Sequence, residues 1–583
     1  MDEDIVAVQQ VTRQILSGMG IQKVISVDDF YATAESHYED AVALFEVVRS
    51  KQDIQCSDLV PRDILDAPDN IWTRRLQAFW TEASPDSKSA ILNELAVIAG
   101  DEIVFSDVKD LSRLKEFIPE GMFQAMSPDD WDQNKKNIIA KARNNQRILC
   151  LFDQDLHLAG RSDNAGTLLL QQTLTERNDD CVVCGLLTQM ITREAELETA
   201  RTLAAEVGLT LDQFLPLSKE RLRGDPMEFV DGLKMILLNY ARHRLSRQVQ
   251  ELTIQASKEA LEKTNDIDVY DFEHIVIRSS EGEGVWEPDT LFRLFNLFEY
   301  DAFRRAILVS DRRASIYVDI ERMRAVRSIT TLESQRNYPT DKVYQIRRME
   351  VFDEPELLNA GYQPIDLGDI FEIRNKKYIL LAQPCDLMVR ENGARSQGID
   401  DAVLVQIRVL EEDEEDIPGG ISSFRCEYLG ERREQIAFVK FRNSIRISLS
   451  VLDLAVFNDE GKCYISLSDI ENTKFPTLHV PWRKRLETLQ KHYQKTHTEF
   501  VKMPYQKVSA YQKKALGHLL TCSAQNISFQ YDARGIFEFD IRRVGRYRAP
   551  LSVHLLSAYF SFLSRNPQEH DFARAGENLE CAI

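Results

Sequence analysis

Four short apolar runs in this 583-residue chain each end in a residue able to do chemistry. Ile21 to Val27 ends in the pair Asp28–Asp29, Arg147 to Phe152 in Asp153, Cys181 to Leu187 in Thr188, and Gln213 to Leu217 leads to Ser218–Lys219. Short apolar strands that alternate with helical patterns form a parallel sheet covered on both faces. Ligands of such sheets sit beyond the carboxyl ends of the strands. Laid side by side, the runs bring Asp28, Asp29, Asp153, Thr188 and Lys219 to one place. Three crowded carboxylates repel one another, and a hard divalent cation such as Mg²⁺ resolves that repulsion with oxygen ligands. A phosphoryl group can then approach one carboxylate while a Thr hydroxyl and a Lys ammonium meet its other oxygens. This is the equipment of an aspartyl-phosphate site.

The elements that must position these residues are legible as periodicities. Residues 1–20 read as a helix, with Ile5, Val8, Val11, Ile15 and Met19 at three- to four-residue steps. Ala165–Glu176 and Arg193–Glu206 are helical patterns between the later strands. Between the first two strands, an insertion at about 30–145 carries helical patterns (Asp40–Val48, Trp72–Ala83, Lys88–Ala99) and a β-like IVFS at 103–106. We read it as one helix–strand–helix portion of the sheet, enlarged. Residues 226–338 are expected as a helical connector, with a stripe from Phe229 to Tyr240, a second block at Asp289–Val309, and SSEGEG (279–284) as the loop between them. Residues 339–583 are expected as a mixed α/β domain with a β-rich first half. Its strands are Ile370–Ile373, Tyr378–Ala382, Ala402–Val409, Ile436–Phe441 and Cys463–Leu467, and its helices are Arg483–His497, Ser509–Leu520 and Ser552–Ser564, with a strand pair near Ile527–Ile541.

The order of these residues resembles the receiver domain of response regulators, a doubly wound, flavodoxin-like α/β fold. VISVDD (24–29) resembles that family's first-strand acidic pair, and LFDQDLHLAG (151–160) its third strand with phosphoacceptor and later glycine. GLLTQ (185–189) and FLPLSK (214–219) resemble the strands ending in its Thr and Lys. The resemblance covers about 1–225 without the insertion. It implies that Asp153 is the phosphoacceptor, that Asp28, Asp29 and Asp153 hold Mg²⁺ with a backbone carbonyl from Asp155, and that Thr188 and Lys219 couple phosphorylation to rearrangement. Long receivers fused to unfamiliar domains resemble regulatory components of bacterial antiphage systems. That implies a signalling or adaptor phosphoprotein, not an enzyme beyond its own phosphorylation, acting on a partner ATPase or histidine-kinase-like protein. His157 and Glu220 stand where the family commonly has proline, so a degenerate receiver serving as a docking scaffold is the alternative.

Composition bounds the rest. Seventy-two Lys and Arg against 93 Asp and Glu give a net charge of −21, which argues against a broadly basic nucleic-acid or membrane surface. No apolar run approaches the ~18–20 residues that span a bilayer, and the acidic start MDEDIVAVQQ is unlike a signal peptide. Nine scattered cysteines read as reduced thiols of a cytoplasmic protein. Cys181 and Cys184 have a metal-like spacing, but within a strand they are expected on opposite faces as core thiols. Cys385, in AQPCD, is expected in a structural turn, with His479 or His554 as the histidines that could approach it. His492 and His497, five apart, misalign on a helix. The basic, aromatic-bearing segments 480–495 and 542–550 leave a second alternative, a C-terminal effector that contacts nucleic acid.

Overall fold

The four runs form strands of one parallel sheet in the computed structural model. It comprises β1 (Ile21–Val27), β2 (Phe123–Met126), β3 (Arg147–Asp153), β4 (Val182–Thr188) and β5 (Pro216–Ser218), in the order β2-β1-β3-β4-β5. The structure describes residues 3–31, 38–50, 61–99, 106–143, 146–154, 156, 164–177, 181–206, 208–210, 213–309, 312–331, 340–396, 400–411, 422–468, 478–502 and 529–564. The expected helix Ser509–Leu520 lies outside them.

Helices cover both faces of the sheet. In chain order, the helices of this part of the chain are α1 (Glu3–Met19), α2 (Tyr38–Ser50), α3 (Arg62–Leu65), α4 (Asp69–Glu82), α5 (Pro85–Ala99), α6 (Ser106–Phe117), α7 (Pro128–Lys141), α8 (Ala165–Glu176), α9 (Glu196–Glu206), α10 (Glu220–Arg223) and the long α11 (Pro226–Asn265), of which α2–α5 lie in the insertion. The chain continues through α12 (Val269–Glu273), a π-helical turn (His274–Arg278), α13 (Ser279–Glu283), α14 (Glu287–Val309) and α15 (Arg312–Ser328). It divides into two units, Met1–Glu259 with Glu299–Arg336, and Ala260–Phe298 with Asn337–Ile583. The described residues of the 226–338 segment are thus mostly helical, and they are shared between the two units.

Strand alternation sorts the first unit's side chains into two cores. Leu149, Leu151, Val183 and Leu187 face Ile15, Leu16, Phe117, Phe229, Leu233 and Val326. Ile148, Cys150, Phe152, Cys184 and Leu186 face Trp131, Ile139, Leu170 and Leu203. Cys181 belongs to the same core as Cys184, not to the opposite face, because it precedes Val182, where the strand starts. Beneath the start of β3, the buried Arg147 donates to Asp319 of α15 at 3.3 Å, and Arg244 and Gln248 of α11 complete that carboxylate's shell at 2.9 and 2.8 Å. The insertion has a core of its own, with Leu44, Phe45, Trp72, Leu76, Trp80, Ile91 and Leu95 contributed by α2, α4 and α5.

The expected strand IVFS falls on residues 103–105, outside the described residues, and Ser106 opens α6; a strand that the sequence reading did not name, β2 at Phe123–Met126, pairs with β1. One expectation is corrected here. SSEGEG is helical, not a loop. It forms α13, with Ser280 buried and bonded to Thr290, and Gly284 ends it at φ +66°, a left-handed stop that glycine adopts without penalty.

The second unit is built on an antiparallel sheet. Its strands are β6 (Phe352–Asp353), β7 (Asp369–Ile373), β8 (Lys376–Leu381), β9 (Asp401–Glu411), β10 (Ser423–Cys426), β11 (Gln435–Ser448), β12 (Lys462–Ser466), β13 (Phe529–Asp532) and β14 (Ile536–Tyr547). The order runs β10-β11-β9-β8-β7-β14-β12, and β6 and β13 also pair with β14. Phe371, Ile373 and Leu380 pack on Trp482, Leu486, Leu489 and Tyr493 of a helix at Val480–Val501. Ile370, Ile379 and Leu381 pack on Leu555, Leu556 and Tyr559 of the helix Leu551–Leu563.

Candidate functional site

Three carboxylates meet at the carboxyl end of the parallel sheet. One carboxylate oxygen from each of Asp28, Asp29 and Asp153 lies within 4.8 Å of the other two, and the three residues are 2%, 5% and 6% exposed. The topology explains the convergence. β1 and β3 are adjacent and in register, Val27 opposite Phe152, so the residues that follow them emerge side by side. Asp29 opens a single 3₁₀ turn, Asp29–Tyr31, and the Phe30 amide donates to Asp28 Oδ1 at 2.9 Å.

Lys219 supplies the positive charge. Its backbone amide donates to the Thr188 carbonyl at 2.8 Å, which carries the β4–β5 pairing one residue past β5. From there its ammonium lies 3.0 Å from both carboxylate oxygens of Asp153, and Lys219 is itself 2% exposed. Thr188 is fully buried at the end of β4, and its hydroxyl accepts from the Met190 amide at 3.0 Å, so it is set in the loop that leaves the strand. Asp28, Asp29, Asp153, Thr188 and Lys219 therefore stand where their positions in sequence place them. Asp155 lies outside the described residues.

Sequence reading missed four supports of this site. Gly166, in the first turn of α8, lies so close to β3 that a Cβ there would sit 1.6 Å from the Asp153 carbonyl oxygen. Glu196, the first residue of α9, accepts from the Ser218 amide at 2.8 Å and from Arg221 at 2.7 Å through both oxygens, a buried pair that ties the segment after β4 to the segment after Lys219. Tyr31 sends its hydroxyl to Ser26 Oγ at 3.5 Å; burial and the nearby charge of Asp28 push that hydroxyl above its ordinary pKa. The signals were present as residues flanking the motifs: Phe30–Tyr31 after the acidic pair and Glu220–Arg221 after Lys219.

A divalent cation fits the donor set. Among the described residues, three carboxylates meet beside the Lys219 ammonium, and oxygen donors from carboxylates are what Mg²⁺ prefers.

The other candidates are placed as follows. Cys150, Cys181 and Cys184 are buried core thiols, and burial pushes Cys184 up to about 12, far from a reactive thiolate. Cys385 is exposed at a four-residue helix, Pro384–Leu387, with Sγ 3.6 Å from Gln383 Oε1. His554 stacks edge-on against Phe424, and His479 is buried at the start of the helix Val480–Val501. His497 bonds Tyr531 at 2.8 Å. In the two basic segments, Arg485 pairs with the fully buried Asp453, which also takes two 2.6 Å bonds from Arg395. Arg543 and Arg546 pair with the fully buried Asp369. These three arginines are internal and do not contribute to a solvent-facing basic patch. Among the described residues, no helix is long and apolar enough to cross a membrane. Set against protein-family models, curated proteins and solved structures, the chain matches none, so the reading of this site rests on its own geometry.

Proposed function

We propose that the first unit is a receiver-like, flavodoxin-type domain whose Asp153 accepts a phosphoryl group, and that the protein is a signalling or adaptor component. One observation carries this reading: three buried carboxylates within 4.8 Å of one another, one of them held by Lys219 at 3.0 Å. The strand order β2-β1-β3-β4-β5 supports it, because flavodoxin-like sheets share that order and bind ligands at the same end. Asp28, Asp29 and Asp153 would hold Mg²⁺, which when bound offsets the charge that keeps a phosphoryl group away from carboxylates.

The chemistry of this chain's own residues follows. An Asp153 carboxylate oxygen attacks the phosphorus of a phosphodonor, the donor's bond from phosphorus to its leaving group breaks (P–O in acetyl phosphate, P–N in a phosphohistidine), and the leaving group departs with the electron pair. The Lys219 ammonium then faces phosphoryl oxygens where it now faces a carboxylate. Thr188, whose hydroxyl is one hydrogen bond from the Met190 amide, is placed to turn toward the new charge and carry the segment after β4 with it. The partner in this reading is a separate ATPase or histidine-kinase-like protein of a bacterial defence system.

The test is intact mass after incubation with Mg²⁺ and acetyl phosphate, beside Asp153→Ala. A gain of ~80 Da in the parent alone supports phosphoryl transfer to Asp153. No gain in a parent that binds Mg²⁺ rejects the transfer and leaves a docking scaffold.

A further inference from the structure

We infer that the helical insertion positions the acidic pair, and responds to its occupancy, through Phe30. This rests on the reading of the acidic cluster as a cation site. Phe30 faces two ways. Its amide donates to Asp28 Oδ1 at 2.9 Å, which fixes one oxygen of the cluster from the backbone. Its ring packs against the core beneath the parallel sheet and also against the separate core that α2, α4 and α5 build.

The turn between these contacts has no slack. Asp29–Tyr31 is a single 3₁₀ turn that begins two residues after β1 ends, and consecutive Cα atoms across a trans peptide stay 3.8 Å apart. Tyr31, next in the turn, packs on the first core with its hydroxyl 3.5 Å from Ser26 Oγ. A carboxylate that re-aims to take up a cation therefore draws on the Phe30 amide. The amide and the ring belong to one residue, and the ring is partly buried against the insertion's core. Packed interiors pass such displacements on. Phe30 is thus a positioning residue. Its coupling is reciprocal, since whatever the insertion does to cation affinity, the cation does to the insertion.

The distinctive consequence is that a ligand at Asp28 and Asp29 is felt in α2 and α4, helices that supply no carboxylate to the cluster among the described residues. The insertion is then the part of the first unit through which occupancy of the site is read or set. An insertion that only fills space would leave its own amides indifferent to Mg²⁺.

The experiment uses the full chain. Mg²⁺ is titrated by calorimetry, and hydrogen–deuterium exchange is followed in peptides from α2 and α4 with and without saturating Mg²⁺. The expected result is a change of about fivefold or more in exchange rates of those helices in the parent. Phe30→Ala is expected to abolish that change and weaken Mg²⁺ binding by a similar factor, and Phe30→Leu to restore both in part. Mg²⁺ binding with unchanged exchange in α2 and α4, or a Phe30→Ala variant that behaves as the parent, overturns the role of the insertion and leaves the cation site standing. No Mg²⁺ binding by the parent overturns the cation site and this inference together. Should Phe30→Ala fail to fold, the parent's exchange and Phe30→Leu decide the matter.

Discussion

Gly166→Ala sets two physical effects against each other at the back of the acidic site. Gly166 lies in the first turn of α8, and alanine is favoured over glycine in helices by ~0.8–1.0 kcal/mol. Propensity alone therefore has the substitution stabilise the protein. The packing has the opposite sign. A Cβ at 166 would lie 1.6 Å from the Asp153 carbonyl oxygen and 2.6 Å from its carbonyl carbon, where real contacts stay beyond 3.0 Å. The neighbour is backbone, so no side chain can swing away, and α8 and the end of β3 must part by about 1.4 Å. Overpacking a filled core costs ~1–3 kcal/mol, occasionally more, and a backbone clash belongs at the upper end. The net expectation is a loss of about 2 kcal/mol or more. Because the chain has two units, one global midpoint would blur the result. The assay is hydrogen exchange of β3, β4 and α8 peptides across a urea series, with Mg²⁺ affinity measured alongside. The clash argument also requires weaker Mg²⁺ binding, because the displaced segment carries Asp153. A Gly166→Ala variant as stable as the parent, or more so, refutes the reasoning: propensity would have won, and the close approach of α8 to Asp153 would be wrong.

Further expectations concern the second unit. Asp453→Ala strands Arg395 and Arg485 inside the protein and is expected to cost ~3–5 kcal/mol, measured by exchange in the helix Val480–Val501; a cost under ~1 kcal/mol contradicts the pairing. Burial disfavours the Asp453 charge, but Arg395 and Arg485 outweigh it and hold the carboxyl below its ordinary value. Its contribution is therefore present above ~3.9, the unfolded value, and lost as pH falls through the folded one. For His479, burial first and the Arg483 charge second push the imidazole down to about 4. Between ~6.5 and 4 the unfolded chain binds the extra proton, so the second unit's stability falls as pH drops through that window, by at most ~1.4 kcal/mol per pH unit. His479→Leu is expected to remove that slope from the urea midpoints of exchange in the helix Val480–Val501, taken between pH 4.5 and 7, and a slope that survives assigns it to another group.

The strands carrying the site were readable because β3 and β4 are buried on both faces, which makes them nearly unbroken apolar runs that end in Asp153 and Thr188, while β1 is buried from Val24 to Val27 and is followed at once by the acidic pair. β2 failed the same test for the same reason. It is an edge strand in which only Met126 is buried, so FQAM offers no run to notice, whereas IVFS does. The 542–548 segment shows the opposite error, in which composition hid a pattern. Along β14, Phe537, Phe539, Ile541 and Arg543 are buried at every second position, so strand alternation already places Arg543 inside and demands a carboxylate partner. Arginines beside a tyrosine read as a surface when only their charge is counted. What no local pattern offered was the meeting of distant segments: Asp369 with Arg543, or Arg147 with Asp319.

That last pair bears on how the protein is made. Arg147 opens β3 and its partner lies 172 residues further along, beyond Ala260–Phe298, a stretch that belongs to the other unit. A ribosome working at ~5–20 residues per second needs about 10–30 s to cover that distance. During that interval the parallel strands have emerged, but the core under the sheet still lacks Val326 and the guanidinium of Arg147 still waits for its carboxylate. The first unit closes only after the chain has already contributed helices to the second, so the two are completed in alternation and not in sequence. A fragment cut at residue 225 would end before Phe229, Leu233 and Val326 and leave that apolar underside bare, a surface for chaperones and for aggregation before it could be a switch.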